Sequence, residues 1–160
     1  MNVALRRLLR APVYLYRWRF GWLLGRRFLL LIYVGQRTGR RHETVLEIVE
    51  YRQPGPEAVV ISGFGRTAAW LRNIRASPNP EIVIASRRFR AAYRILGGDE
   101  AIAVLAGYER RHRIAAPIIR RVLSRLVGWH YSGSPEDRRR VAAQLPFIAF
   151  RPAATPDRGR

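Results

Sequence analysis

The feature that most constrains the fold is a glycine-rich turn between an apolar run and a helical pattern. The segment AVVISGFGRTAAWLRNI places Gly63, Gly65 and Ala68 in the spacing G-x-G-x-x-A. Glu81 follows about 20 residues later, near the position of the acidic residue in dinucleotide-binding proteins. That fold, however, needs several parallel strands joined by crossover helices. The turn is therefore compatible with a dinucleotide-binding fold, and the pattern of the surrounding strands decides whether that fold applies.

The strand pattern around the turn favours an antiparallel sheet instead. An apolar run at 28–34 and a second strand pattern at 44–51 flank the loop GQRTGRRH, as in a hairpin with a basic tip. Further strands are predicted at 58–62, 81–85, 88–96 and 146–150. Too few parallel crossovers remain for a dinucleotide fold. We predict a small antiparallel barrel in which the glycine turn forms one wall of a ligand groove.

Helical patterns fill the remaining segments. They are predicted at 67–76, 99–112, 117–127 and 135–144, the last with Ser134 as the N-cap. An amphipathic opening helix ends near Pro12, and a second helix is predicted at 13–24. We divide the chain into a basic helical segment at 1–27, a barrel domain at 28–152 and a flexible tail at 153–160.

The charge is strongly positive and unevenly distributed. The chain has 30 arginines and no lysine against 11 acidic residues, a formal net charge of +19, and no acidic residue precedes Glu43. Such a chain favours polyanionic partners: nucleic acid, anionic lipid or an acidic cofactor. The N-terminal mixture of arginines and aromatic rings suits a membrane surface, and the apolar run at 28–34 is too short to span a bilayer.

Several chemistries are excluded or disfavoured. The absence of cysteine excludes disulfides, thiolate catalysis and cysteine-bound metals. His42, His112 and His130 are scattered without ligand spacing, so no metal site is expected. No G-x-S-x-G motif accompanies Ser62, which leaves a hydrolase triad unsupported.

Two interpretations of the groove residues stay open at this point. Trp70 and Asn73 lie three residues apart, on one face of a short helix. With the cationic loop from Arg37 to His42 they could hold a flat ring that carries a charged tail. In the alternative, Trp70 is a core residue, Asn73 caps locally and the arginines are merely solvated.

Three segments carry a family resemblance: FLLLIYVGQRTGRRHETVLEIVEY, VVISGFGRTAAWLRNIRASPNPEIVI and LPFIAFRP. Over about residues 28–152 the chain resembles the deazaflavin-dependent nitroreductase family, a branch of the α+β split β-barrel flavin-binding folds. The resemblance implies coenzyme F-420 as cofactor, an 8-hydroxy-5-deazaflavin with an anionic phospholactyl-oligoglutamate tail. FMN is the alternative cofactor.

The resemblance also implies a set of site residues. The tail would be held by Arg37, Thr38, Gly39, Arg40, Arg41 and His42. The ring would run beside Thr44, Val45 and Leu46, approach Ser62 and Gly63 with its reacting edge, and meet Ala69, Trp70 and Asn73 on its other side. Ser62 and Tyr131 are the predicted catalytic residues, with Tyr108 as a second tyrosine candidate. The chain departs from the family pattern at Ile32–Val34, commonly rich in threonine, and at His42, commonly basic.

The function implied is hydride transfer from the reduced deazaflavin to a quinone, a nitroaromatic or a similar planar acceptor. We predict a cytoplasmic protein in peripheral contact with the inner face of the membrane, a homodimer by analogy with split-barrel relatives, and no nucleic-acid partner. The alternatives are an FMN-binding split-barrel protein and a non-enzymatic binder of anionic lipid or nucleic acid.

Overall fold

Six strands close into an antiparallel barrel in the computed structural model, which describes residues 25–77 and 79–153. The strands are β1 (Phe28–Val34), β2 (Arg41–Arg52), β3 (Glu57–Ile61), β4 (Glu81–Ile84), β5 (Arg87–Ile95) and β6 (Phe147–Pro152). Their order around the barrel is β1-β2-β3-β6-β5-β4, with every neighbouring pair antiparallel. The split-barrel prediction is confirmed, and the dinucleotide alternative is wrong because β3 and β4 are not paired to each other.

Four helices are present in the described residues: α1 (Ala69–Ala76), α2 (Gly98–Arg111), α3 (Ala116–Val127) and α4 (Pro135–Gln144). The first begins two residues later than predicted because 65–67 form a 3-10 turn. Ser134 caps α4 as expected, accepting a hydrogen bond from the Asp137 N–H. None of the described helices combines the length and apolarity needed to cross a membrane. Residues 1–24 and 154–160 lie outside the described residues, so the predicted terminal segments stay predictions.

One hydrophobic core fills the barrel interior. Alternate residues of each strand point inward, among them Leu29, Leu31 and Val60, and contact the same buried cluster. Helix α1 closes this core with Trp70, Leu71 and Ile74. The spacing of these three residues places them on one face of the short helix.

A second core lies between the outer face of β2-β3-β6 and the three later helices. The strands contribute Val49, Val59 and Ala149, and the helices contribute residues such as Leu105 and Leu123. Ile48 faces the interior core and Val49 the outer one by ordinary strand alternation. A register irregularity between Ile48 and Glu50 then lets Tyr51, three residues after Ile48, pack against the interior core as well. Among the described residues, these three later helices therefore cover only the barrel wall that carries β3.

An ion-pair network joins the β2–β3 hairpin, β5 and the start of α2. Arg94 and Arg52 each approach Glu100 Oε1 to 2.7 Å, and Arg94 also lies 2.9 Å from Glu57 Oε1. Hydrogen bonds from Arg94 and then from Arg52 lower the pKa of Glu100 to about 2. The network contributes its full stabilisation while the Glu100 carboxylate is ionised in both the folded and the unfolded chain.

Glu100→Gln is expected to lower the free energy of unfolding by about 1 kcal/mol near pH 7. The effect is small because a partly exposed ion-pair network contributes little more than this to stability. Because the folded-state pKa of Glu100 lies below its ordinary value of 4.5, the stabilisation is complete above pH 4.5. It is lost as the pH falls toward 2. Urea unfolding at neutral and at acidic pH measures the difference. Glu136→Gln is the control, because Glu136 forms an exposed i,i+3 ion pair with Arg139. A loss of equal size at both pH values would contradict this account.

Candidate cofactor site

The barrel is split along part of β2. This strand pairs with β1 from Arg41–Val34 to Glu47–Phe28, but its ladder with β3 stops at Ile48–Val60. Within the described residues, the β3-facing edge of 41–47 therefore meets no strand. Backbone N–H and C=O groups on such an edge are available to a ligand.

The predicted ring-binding residues Thr44, Val45 and Leu46 lie on this open edge. Their side chains alternate, so Leu46 packs against the interior core while Val45 packs outside against Leu30 and Ile32. A ring beside this segment would meet all three residues through the backbone edge and not through one common side-chain surface.

The glycine turn follows β3, on the side where the β2–β3 ladder has ended. The Ser62 N–H donates to Pro146 O at 2.9 Å, the Ser62 hydroxyl to Gly65 O at 2.7 Å, and the Gly65 N–H to Ser62 O at 2.9 Å. Gly65 has a φ of +64°, which favours glycine, and a Cβ on Gly63 would lie 3.3 Å from Leu126. The two glycines thus serve the turn and the packing of α3.

Two corrections concern the predicted catalytic residues. Ser62 is fully buried, and both of its donors are committed to backbone carbonyls, so neither is available to a developing charge on an acceptor. Tyr131 is also fully buried, in the core under the helices, and lies close to the Glu109 carboxylate. Burial, followed by the charge of Glu109, raises the pKa of Tyr131. Neither residue presents an exposed proton donor in the described part of the chain.

The other tyrosine candidate lies beside the split edge. The Tyr108 hydroxyl donates to Glu47 Oε1 at 2.7 Å, at the end of the β1-paired part of β2. Burial and then the Glu47 carboxylate raise the pKa of Tyr108. Its proton is held firmly, and the bond ties α2 to β2.

The basic loop between β1 and β2 is short and highly ordered by backbone hydrogen bonds. Gly35 N donates to Arg40 O, and Gly39 N donates to Gly35 O, both at 2.8 Å. Gly39 has a φ of +61°, the conformation that allows this reversal. Residues 36–40 are all exposed, so the tight turn holds Arg37, Thr38 and Arg40 outward.

The structure shortens the predicted loop at its far end. Arg41 and His42 belong to β2 and pair with Val34 and Tyr33, because the ladder extends three residues beyond the predicted strand start. The His42 ring stacks on Tyr33 at 5.6 Å between centroids. Arg41 lies 3.8 Å from carboxylates of Glu43 and Glu81.

A hydrogen bond joins this loop to helix α1. The Gln36 N–H donates to Asn73 Oδ1 at 3.0 Å, across 37 residues of sequence. The two motifs of the family resemblance thus meet in space, and Asn73 acts at long range instead of capping its own helix. Arg72 and Arg75, also exposed on α1, extend the positive surface; the sequence analysis did not single them out.

Trp70 requires a correction as well. Its side chain is only 6% exposed, belongs to the interior core, and lies 6.4 Å from the Phe150 ring. The core interpretation of Trp70 fits the structure, and the indole does not form an open groove wall. Ala69, its neighbour, is exposed.

The residues that remain fit a planar cofactor with an anionic tail. Arg37 and Arg40 project from the ordered loop, and no described carboxylate lies within ion-pair distance of either. Guanidinium groups that are not neutralised by the protein are suited to phosphate and carboxylate groups. The open edge of β2 begins directly after this loop and supplies polar backbone groups for a ring.

The family model described as F420H(2)-dependent quinone reductase matches residues 10–113, which is more than half of the chain. The chain belongs to this family of F-420-dependent reductases. The matched residues include β1 to β5, the basic loop, the glycine turn and α1. A search of curated proteins found no match.

A solved structure supports the fold, and two further ones are similar at lower TM-scores. A protein of unknown function from Agrobacterium tumefaciens has a TM-score of 0.51 at 14% identity, over 91% of this chain and 56% of that one. An F420-H2 dependent reductase has a TM-score of 0.44 at 16% identity, over 79% of this chain and 96% of that one. A pyridoxamine 5′-phosphate oxidase-related, FMN-binding protein from Nostoc punctiforme has a TM-score of 0.45 at 16% identity, over 89% and 78%. This chain thus spans little more than half of the Agrobacterium protein, and that likeness shows the fold alone.

Asn73→Ala is expected to lower the free energy of unfolding by about 1 kcal/mol, the net value of one hydrogen bond. It should also speed amide hydrogen exchange at Gln36, whose N–H loses its acceptor. Asn73→Asp keeps an oxygen at the same position and should retain most of the protection. Unchanged exchange at Gln36 in the alanine variant would show that the loop does not depend on α1.

Proposed function

We propose that this protein is an F-420-dependent oxidoreductase that reduces a quinone or a similar planar, electron-poor acceptor. The observation that carries the proposal is the placement of unneutralised arginines at the start of an open strand edge, in a chain that belongs to the F-420-dependent reductase family. An anionic tail and a polar-edged ring are the two parts of such a cofactor.

The tail is assigned to the β1–β2 loop. Arg37 and Arg40 would bind its phosphate and carboxylates, while Thr38 and Gly39 hold the loop in shape. Asn73 fixes the loop on α1 through Gln36, so the backbone that carries the two arginines is ordered before the ligand arrives. An ordered loop loses less conformational freedom on binding, which favours affinity.

The ring is assigned to the open edge of β2, at 44–46, opposite the glycine turn. The bound deazaflavin supplies the hydride, so the protein needs no acid–base pair of its own for that transfer. The backbone of 44–46 would orient the ring, and the Ser62–Gly65 turn, with Leu126 packed on Gly63, would limit water on its other side. We assign Ser62 a role in shaping the turn, and we assign Tyr131 to the core.

The acceptor class follows from the same arrangement. A planar molecule can stack on an exposed ring, and no acid among the described residues is positioned to select one functional group. A quinone is therefore proposed first, in keeping with the family description, with nitroaromatics as comparable acceptors. A cytoplasmic location and a homodimer stay predictions.

Replacing both loop cations tests the tail assignment. Arg37→Ala/Arg40→Ala should weaken binding of oxidised F-420 by at least about tenfold, since each charge-assisted hydrogen bond contributes about 1.5–3 kcal/mol. Binding of a tail-less deazaflavin riboside should change little. Fluorescence titration of both ligands measures the difference.

The matched control removes the same charge elsewhere. Arg87→Ala/Arg139→Ala alters two exposed arginines away from the β1–β2 loop, one at the start of β5 and one on α4, and should leave F-420 affinity nearly unchanged. Equal losses in both variants would indicate bulk charge attraction and reject a specific tail site. Tight binding of FMN without binding of F-420 would reject the cofactor assignment. If the protein loaded with reduced F-420 reduces no quinone, the protein is a carrier of the cofactor and the reductase assignment is rejected.

A further inference from the structure

Helix α3 has an apolar stripe on its solvent side. Ile114, just before the helix, is fully exposed, and Ile118, Val122 and Leu126 are 68%, 51% and 37% exposed. A spacing of four residues places these side chains along one side of a helix. The core is served by a different side, through Leu123 and Val127. Ile114, Ile118 and Val122 are therefore surplus to the packing of the described fold, and Leu126 at the end of the stripe contacts Gly63.

The chain segment that carries the stripe has positively charged side chains and no negatively charged ones. Residues 110–128 contain no acidic side chain. They contain six arginines, at 110, 111, 113, 120, 121 and 125, all of them exposed. Arg121 and Arg125 each directly precede a stripe residue, so positive charge borders the apolar surface along its length.

A cleft at the start of α3 combines the same two properties. It has a volume of about 610 Å³ and is lined by Ile114 and Ile118 together with Arg110, Arg111 and Arg113. Isoleucine side chains next to guanidinium groups match the boundary between lipid acyl chains and anionic headgroups.

We propose that the Ile114–Leu126 stripe docks this protein on an anionic phospholipid bilayer. The helix would lie in the interface with its apolar side chains among the upper acyl chains and its arginines at the phosphates. A second copy of the chain fits less well, because a symmetric contact through this surface would bring arginines against arginines. The stripe also lies beyond the residues matched by the family model, which end at 113.

The last residue of the stripe contacts the glycine turn beside the proposed cofactor site. Leu126, the last residue of the stripe, packs over Gly63, and the neighbouring Phe64 is 58% exposed. A bilayer that contacts the stripe would also be close to the glycine turn. The inference does not depend on the cofactor, because vesicle binding can be measured without it.

Because the chain has no cysteine, a single introduced thiol can be labelled at one position. The full chain with Val122→Cys carries an environment-sensitive fluorophore on the stripe. Ser86→Cys is the matched control: it is exposed in the β4–β5 turn. Strands β3 and β5 run in the same direction, because both pair antiparallel with β6. The β4–β5 turn precedes β5 and the glycine turn follows β3, so the two turns lie at opposite ends of the barrel.

With vesicles of phosphatidylglycerol and phosphatidylcholine, the label at Val122 should shift to the blue and the label at Ser86 should not. If the protein sediments with vesicles while the Val122 label stays in water, another surface holds the membrane and the proposal is wrong. A shift at Val122 that depends on protein concentration and not on lipid would show self-association and would equally overturn it.

Two double variants separate the apolar and electrostatic contributions. Ile118→Gln/Val122→Gln keeps the charge and should lower the vesicle partition coefficient by about tenfold. Arg121→Gln/Arg125→Gln should lower it mainly at low salt, where headgroup attraction is strongest. Both variants change exposed side chains, and thermal unfolding checks that the fold is retained. Unchanged partition in the first variant overturns the proposal.

Discussion

The length of β2 relative to its neighbours is the constraint from which the rest of the structure follows. This strand has 12 residues, whereas β1 has seven and β3 has five, so no single neighbour can cover it. It pairs with β1 along its first half and with β3 along its last residues, and the register irregularity lies where the partner changes. The barrel closes, yet among the described residues one edge of 41–47 meets no strand. Polar backbone groups on that edge need hydrogen-bond partners from outside the barrel sheet.

Side-chain alternation along β2 divides the strand between the two cores. Leu46 and Ile48 pack into the interior, whereas Val49 packs outward under the helices. The helices can therefore cover β3 and β6 without covering the loop end of β2. Tyr108 holds α2 near this boundary through its bond to Glu47. A cationic hairpin tip and an open strand edge are thus placed side by side by strand pairing and not by any one binding residue.

Local patterns were sufficient to predict most of the elements and not the surroundings of single side chains. The strand at 28–34 and the helix ends near residues 76, 127 and 144 follow from turn residues and periodicity, which act over short distances. The roles of Trp70, Ser62 and Tyr131 depend on what packs on them from distant elements: Phe150, Pro146 and Glu109. A tryptophan on a short amphipathic helix looks the same in sequence whether it faces a ligand or a core. Asn73 was identified through the family motif, but its acceptor role toward Gln36 spans 37 residues and leaves no local signal.

The glycine motif illustrates how a short pattern can arise from a different physical need. In a dinucleotide fold its glycines admit a pyrophosphate. Here Gly65 is required by a positive φ, while Gly63 leaves room for Leu126, and the Ser62 hydroxyl closes the turn on itself. A side chain at Gly63 would press on α3, the helix with the exposed apolar stripe. The turn beside the proposed ring site and the surface that we propose contacts lipid are therefore packed directly against each other. A displacement of α3 at a membrane would reach Gly63 directly, because the Leu126 side chain of α3 packs on that backbone.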